Sequence, residues 1–280
     1  MKRRVALLLL IVAALVIAFG HIGDRLILWP TTAAEDARGA KRFTVPFESG
    51  ELEIFRAVSS VKTPDVFVLR FYGNADRAER RIANEAAAWP DRNIEFWGVN
   101  YPGYGGSTGP AQLKRIADAA LAAYDAVHAV AGDHPIFVFA TSLGTTAALH
   151  VAAERDVAGV VLQNPPPLRQ LIMGQHGWWN LWLLAFPVSR QIPRELDSIQ
   201  NARRIHVNGV FLLADHDEVV PYKYQQLVSE SFAGGKQILI QEGAHHNTPM
   251  SPAFAFRAHA ATARLFDHHF FNRHLLKPIK

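Results

Sequence analysis

The chain has 280 residues, of which 49% are apolar and 19% are charged, and its formal net charge is +4 at pH 7. This length and composition fit one large globular α/β domain with a sizeable core. The basic residues are scattered without a basic helix face, which argues against nucleic-acid binding. The absence of cysteine excludes disulfides, thiol catalysis and thiolate metal sites.

The amino terminus differs in character from the rest of the chain. Lys2, Arg3 and Arg4 precede fifteen consecutive apolar residues, 5–19. This run is long for a signal-peptide core, shorter than the roughly 20 residues of a full membrane span, and extended to a marginal span by residues 20–23. We predict that residues 1–23 form an uncleaved membrane anchor, with a cleaved signal peptide as the alternative. Residues 24–280 then form an extracytoplasmic domain, periplasmic when anchored and periplasmic or secreted after cleavage.

Alternating strand and helix patterns follow the amino terminus. Residues 25–30 (R-L-I-L-W-P) are typical of a segment clamped onto a domain, and residues 31–40 of a loop. Period-two alternation predicts paired strands over residues 43–47 and 51–58. Further strands are predicted over residues 66–71, 94–99, 136–140, 157–162, 209–214 and 236–241, and helices over residues 77–89, 111–131, 143–154, 222–232 and 252–271. This alternation predicts an α/β fold, with a mostly parallel sheet of about eight strands and helices on both faces.

The stretch Ala140-Thr141-Ser142-Leu143-Gly144 joins an apolar strand to an alanine-rich helix. A serine at the apex of a strand–turn–helix, with small residues two positions before and after it, is typical of a nucleophile elbow. Alanine stands here at the first of these small positions, where glycine is usual. The sites of such sheets lie beyond the carboxyl ends of the strands.

Acidic residues and histidines follow two later strands. Asp215 and Asp217 come directly after residues 209–214, and His245 and His246 come shortly after residues 236–241. The order along the chain is therefore serine, acid, histidine. Two further loops stand at strand ends, Y-G-N-A at residues 72–75 and Y-P-G-Y-G-G-S at residues 101–107.

Together these motifs resemble those of α/β-hydrolase fold serine hydrolases, over roughly residue 25 to the carboxyl terminus. The resemblance is greatest to amino-terminally anchored α/β-hydrolase domain-containing proteins, a serine aminopeptidase-like and depalmitoylase-like branch. That branch carries an H-G-N-A type loop, Y-x-G-x-G-x-S, D-x-x-V-P and G-x-x-H-N. This chain has Tyr72 where the branch usually has histidine.

The resemblance implies a catalytic triad. Ser142 would be the nucleophile and His246 the base that accepts its proton. Asp217, the acid of D-x-x-V-P, would orient His246 and stabilise the imidazolium. The neighbours His245 and Asp215 are the alternatives for the base and the acid.

The resemblance also implies an oxyanion hole and a substrate pocket. The backbone N–H groups of Leu143 and Asn74 would stabilise the oxyanion, and Tyr72 would contact the substrate. An alternative for Asn74 is that it only forms a turn. The loop of residues 101–107 lacks the lysine and spacing of a phosphate-binding loop, so we expect it to pack beneath the site.

Residues 164–206 interrupt the alternation of strands and helices and resemble a small helical lid. They contain three consecutive prolines and the tryptophans Trp178, Trp179 and Trp182. We predict that these tryptophans bind the acyl part of the substrate. The alternatives are that they lie against the bilayer or pack the lid onto the sheet.

The resulting prediction is a serine hydrolase that cleaves a small-molecule ester or thioester through an acyl-enzyme, without a cofactor. A metal site is not expected, because the pairs His245-His246 and His268-His269 are adjacent residues whose side chains point apart. One alternative is a peptidase or amidase with the same triad. The other is a non-catalytic binding protein of the same fold.

Overall fold

The computed structural model describes residues 22–178, 182–183 and 185–275. In this part of the chain, eight strands form one sheet in the order β1-β2-β4-β3-β5-β6-β7-β8. Strand β2 runs antiparallel to β1 and β4, and the other neighbouring pairs are parallel. The prediction of a mostly parallel sheet of about eight strands is confirmed. The strands are β1 (Lys41–Phe47), β2 (Gly50–Val58), β3 (Val66–Phe71), β4 (Ile94–Val99), β5 (Ile136–Thr141), β6 (Gly159–Gln163), β7 (Gly209–Ala214) and β8 (Lys236–Gln241).

Helices cover both faces of this sheet and create two apolar cores. Side chains of α3 and α4 belong to one core, and those of α2 and α9 belong to the other. The helices are α1 (Ile22–Ile27), α2 (Ala78–Ala87), α3 (Leu113–Ala131), α4 (Gly144–Glu154), α5 (Leu168–His176), α6 (Ala185–Arg190), α7 (Ser198–Ala202), α8 (Tyr222–Ser231) and α9 (Pro252–Leu275).

Burial along the strands explains why the sequence pattern located them well. Every residue of β4 and of β7 is buried, as expected of parallel strands covered on both faces. The edge strands β1 and β8 are largely exposed.

Helix α2 ends two residues before its predicted end at Trp89. The Trp89 N–H closes a tighter turn by donating to the Ala86 carbonyl at 3.1 Å. Pro90 follows directly and disfavours a helical conformation at Trp89.

The predicted lid, residues 164–206, contains α5, α6, α7 and a short 3₁₀ turn, Arg194–Leu196. Helix α5 is attached to the loop after β7, because the Gln175 Nε2 donates to the Glu218 carbonyl at 3.0 Å. The predicted amino-terminal anchor, residues 1–23, lies outside the described residues apart from its last two. Within the part that is described, no helix combines the length and hydropathy needed to cross a bilayer.

Residues 22–35, which we call the N-terminal strap, cross the domain before β1. Leu28 is buried in the core of α3 and α4. The Asp24 Oδ1 accepts the backbone N–H of Leu113 at 2.8 Å, where α3 begins. A carboxylate is favourable there, because the first N–H groups of a helix have no partner within it and carry partial positive charge. The strap includes the predicted clamped segment, residues 25–30.

Candidate active site

Ser142 lies at the sharp turn between β5 and α4, in the middle of the sheet. Its φ is 50°, a left-handed conformation that costs energy for a residue with a side chain. Its N–H donates to the Gln163 carbonyl of β6 at 2.8 Å, and its own carbonyl accepts the Thr145 N–H at 2.8 Å. The turn is thus fixed by backbone hydrogen bonds on both sides, and it is the elbow that the sequence predicts.

Gly144 is required by the same turn. A Cβ at this position would lie 2.6 Å from the carbonyl oxygens of both Phe71 and Tyr72, at the end of β3. The close approach allows α4 to begin directly beside the neighbouring strand. Ala140, by contrast, is a β5 residue paired with Phe71 and Leu162, so the sheet accommodates its methyl group.

We expect Gly144→Ala to destabilise the fold by more than about 2 kcal/mol, because the added methyl meets rigid backbone. Helix propensity alone would favour alanine by about 1 kcal/mol, so the sign of the change tests the packing. Urea denaturation measures it. Gly132→Ala serves only as a comparison, because its methyl group would meet no atom within 4 Å and its cost comes from a φ of 55°, whereas Gly144 is not at positive φ. A G144A variant at least as stable as the wild-type chain contradicts the account.

The structure brings Ser142, His246 and Asp217 together from three separate strand ends. The His246 Nε2 lies 3.0 Å from the Ser142 Oγ, and the His246 Nδ1 lies 2.7 Å from the Asp217 Oδ2. The Asp217 side chain is 0% exposed and that of His246 is 10% exposed. The imidazole is therefore held between a hydroxyl and a buried carboxylate.

Asp217 is held by three donors besides His246. The N–H groups of Val219 and Val220 donate to its Oδ1 at 2.9 and 2.7 Å, and the Gln225 Nε2 donates to its Oδ2 at 3.1 Å. Hydrogen bonds of this kind stabilise the ionised carboxylate in a buried position. The sequence reasoning did not identify Gln225, which is fully buried in the first turns of α8. A polar residue among apolar ones on the inner face of that helix is the signal that could have identified it.

The alternative residues His245 and Asp215 are placed elsewhere. The His245 side chain is 64% exposed and its Nδ1 lies 3.0 Å from the Glu218 Oε2. Hydrogen bonds from the backbone and from His245 lower the pKa of the Glu218 carboxyl. Asp215 accepts the N–H of Ala244 at 3.3 Å. The base and acid positions of the triad geometry are occupied by His246 and Asp217.

The loop after β3 lies against Ser142, as the oxyanion-hole prediction requires. A Cβ at Gly73 would be 3.5 Å from the Ser142 Cβ. Among the residues that the structure describes, none accepts a hydrogen bond from the backbone N–H of Leu143 or of Asn74. Both predicted donors are therefore unused: Leu143 directly follows the serine, and Asn74 directly follows Gly73, which lies against it.

The prediction that Tyr72 contacts the substrate needs correction. Tyr72 is 1% exposed, and its ring packs in the core formed by α2 and α9, against Ala78 and Ile82 of α2. Its hydroxyl donates to the Glu85 Oε2 at 3.2 Å. Burial, with the nearby Glu85 carboxylate, raises the pKa of Tyr72 well above its usual value. The side chain turns away from Ser142, and only the backbone of Tyr72 lies beside the elbow.

The loop of residues 101–107 packs beneath the site, as predicted. Tyr101 and Tyr104 are both buried. The Tyr101 hydroxyl donates to the Tyr72 carbonyl at 3.0 Å, so this loop supports the chain that leaves β3. Burial raises the pKa of each of these two phenols. The loop is a structural support for the elbow and its neighbour.

Two of the three lid tryptophans, Trp178 and Trp182, lie in the described part of the chain, and both are exposed. Trp178 is 68% exposed and Trp182 is 46% exposed, so the alternative that they pack the lid onto the sheet is wrong for these two residues. The Trp182 Nε1 donates to the Met173 carbonyl of α5 at 3.1 Å. Trp179 lies outside the described residues. A role of the tryptophans in binding an acyl group stays a prediction.

Solved structures share this architecture. The Pyrococcus furiosus esterase Pf2001 superposes with a TM-score of 0.64 over 87% of this chain and 98% of that one, at 14% identity. The chain adopts the α/β-hydrolase fold. A Paleococcus ferrophilus monoacylglycerol lipase has the same fold, with a TM-score of 0.59 at 18% identity over 78% of this chain and 99% of that one. At such identities the likeness is one of fold alone.

Two sequence relatives are similar to parts of this chain. An uncharacterised protein of Mycobacterium tuberculosis is 27% identical over 65% of this chain, and the match spans 63% of that protein's length. The α/β hydrolase domain-containing protein aho-3 of Caenorhabditis elegans is 25% identical over 55% of this chain and 44% of its own length. No protein-family model matches the chain.

Proposed function

We propose that this α/β-hydrolase fold protein is a serine hydrolase that cleaves an ester or thioester through an acyl-enzyme intermediate. The observation that carries the proposal is the position of the His246 ring, 3.0 Å from the Ser142 Oγ and 2.7 Å from Asp217. A serine hydroxyl is a weak nucleophile until a base accepts its proton. The two unused N–H groups of Leu143 and Asn74 support the same reaction.

In the proposed reaction, the Ser142 Oγ attacks the acyl carbonyl while the His246 Nε2 accepts the hydroxyl proton. The carbonyl oxygen becomes an oxyanion, which the N–H groups of Leu143 and Asn74 stabilise. The bond to the leaving group then breaks, and His246 returns the proton to the departing alcohol or thiol. Water attacks the acyl-enzyme with His246 again as base, and the acid is released with Ser142 restored.

The proposed substrate is a small molecule with an apolar acyl group. The solvent-exposed aromatic side chains of Trp178 and Trp182 in the predicted lid favour an apolar group over a charged one.

We also propose that residues 1–23 anchor the protein in a membrane, with the domain in the periplasm. Mass spectrometry of the mature amino terminus tests the anchor, and a chain that starts at His21 contradicts it.

A substrate panel tests the reaction. The purified protein is assayed with p-nitrophenyl esters of increasing chain length, then with acyl-thioesters and aminoacyl amides. We expect hydrolysis of esters or thioesters, with kcat/KM that rises with acyl length. Preferred cleavage of the amides replaces the proposal with the peptidase or amidase alternative. No turnover of any of these substrates by folded protein favours the non-catalytic alternative.

A further inference from the structure

The side chain of Asn74 connects the loop beside Ser142 to the N-terminal strap. Its Oδ1 accepts the backbone N–H of Trp29 at 2.9 Å, and its Nδ2 donates to the carbonyl of Ile27. The carboxamide thus pairs with two peptide groups of the strap, as a neighbouring strand would. The hydrogen-bonding atoms of this side chain are used within the protein and are not directed at a substrate.

A third contact ties the same oxygen to the loop below the site. The Tyr104 hydroxyl donates to the Asn74 Oδ1 at 2.8 Å. Tyr104 is 1% exposed, and its ring meets that of Tyr101, which supports the end of β3. Asn74 is therefore the point where the loop after β3, the loop of residues 101–107 and the strap meet.

The strap is itself held firmly on both sides of this point. The Gly105 N–H donates to the Thr31 carbonyl at 2.9 Å, and Arg77, which is 1% exposed, donates to the carbonyls of Thr31 and Ala33. On the other side, Leu28 is buried in the core and Asp24 accepts the first N–H of α3. The strap is a fixed support and not a loose end.

We propose that Asn74 is a positioning residue whose side chain, by bonding to the strap, fixes the direction of its own backbone N–H in the oxyanion hole. The inference rests on the proposed function, in which that N–H stabilises the oxyanion. Gly73, which precedes Asn74, has no side chain to restrain the loop and lies against Ser142. The carboxamide supplies the missing restraint from the far side of the loop.

The physical reason is preorganisation. A donor stabilises the transition state only when it points at the developing oxyanion before the reaction, and loss of one such donor lowers kcat by about 10²–10³-fold. A donor that is present but free to turn loses part of this effect. The ground-state carbonyl carries less charge than the oxyanion, so kcat is affected more than KM.

The test compares Asn74→Ala with the wild-type chain on a p-nitrophenyl ester. We expect kcat to fall by about 10- to 100-fold with KM changed less than about threefold. A trifluoromethyl ketone, which forms an alkoxide adduct with a reactive serine, should bind Asn74→Ala more weakly by a similar factor. The pH profile of kcat/KM should keep its midpoint, because His246 and Asp217 are untouched.

Asn93→Ala is the matched control. Asn93 is a half-buried asparagine whose side chain accepts a hydrogen bond from Ser60 and donates one to Asp65. It directly precedes β4, at the amino ends of the parallel strands, whereas Ser142 lies at their carboxyl ends. We expect this variant to keep wild-type kcat and ketone affinity. A general loss of stability moves the melting temperature in both variants, whereas only Asn74→Ala should change kcat and ketone affinity.

Asn74→Asp is a second variant that decides the case if Asn74→Ala does not fold. It keeps an acceptor for Trp29 and Tyr104 but loses the donor to the Ile27 carbonyl, so we expect kcat to fall at least fivefold. Wild-type kcat in either folded variant overturns the inference, as does a rise in KM alone or, for Asn74→Ala, a shifted pH midpoint. The proposed function fails separately, if the wild-type chain does not hydrolyse the ester.

Discussion

The Ser142→Ala variant should hydrolyse an ester substrate with kcat lowered by about 10⁴-fold or more, because no other group replaces the nucleophile of a triad. The substitution removes only the hydroxyl oxygen, whose hydrogen-bond partner is the His246 Nε2. The fold should therefore persist, with a melting temperature close to that of the wild-type chain. Steady-state kinetics with a p-nitrophenyl ester, at matched protein concentration, measure the loss.

Ser59→Ala is the control for this experiment. Ser59 also makes hydrogen bonds through its hydroxyl, to the Arg92 carbonyl and from the Ile94 N–H. It directly follows the antiparallel strand β2, so it lies beside the start of β4, at the amino ends of the parallel strands. We expect its kcat to equal that of the wild-type chain. If Ser142→Ala retains more than about one-hundredth of the wild-type kcat, the nucleophile is another residue.

The second large effect is expected for Asp217→Asn, with kcat lowered by about 10²–10⁴-fold. The Asp217 carboxylate accepts hydrogen bonds from His246, Gln225 and two backbone N–H groups. An amide cannot accept all four, because its nitrogen is a donor. The His246 ring then takes the wrong tautomer or orientation and no longer accepts the Ser142 proton. Steady-state kinetics on the same ester measure the effect.

Asp215→Asn is a matched control two residues away. Asp215 accepts the N–H of Ala244, and its side chain is not in contact with His246 in the triad geometry. We expect Asp215→Asn to keep kcat within about threefold of the wild-type value, because Asp215 is not part of the hydrogen-bonded triad. A larger loss in Asp215→Asn than in Asp217→Asn contradicts the assignment of the acid.

The sequence was sufficient to locate Ser142, Asp217 and His246 because each follows a strand of the parallel part of the sheet. Parallel strands end at one edge of the sheet, so residues far apart in the chain are brought together by the topology alone. The choice of Asp217 over Asp215 rested on the resemblance to D-x-x-V-P. The structure adds a physical reason, since only Asp217 is oriented by Val219, Val220 and Gln225.

The direction of the Tyr72 side chain could not be predicted in the same way. Alternation assigns residues to a face only within a strand, and Tyr72 is the first residue after β3. At that point the chain turns, and the ring enters the core beside α2 while its carbonyl stays near the elbow. Tyr72 therefore does not make the substrate contact that its position in the family motif suggested.

The role of the strap was also beyond the sequence. Residues 25–30 suggested a clamped segment, but nothing in the pattern linked Trp29 to the side chain of Asn74, which is 45 residues later. Such contacts depend on backbone groups of irregular segments, whose direction has no periodic signal.

The exposure of Trp178 and Trp182 could not be predicted from the sequence either, because apolar composition predicts burial more often than exposure.

The central claim, that Ser142 is an activated nucleophile, is tested most directly by covalent labelling. The full chain is treated with a fluorophosphonate, which reacts with activated serines, and the labelled site is identified by peptide mass spectrometry. We predict one adduct per chain, on Ser142, that is absent in Ser142→Ala and strongly slowed in His246→Ala. Labelling of Ser142→Ala to the wild-type extent, or an adduct on another residue, would contradict the account.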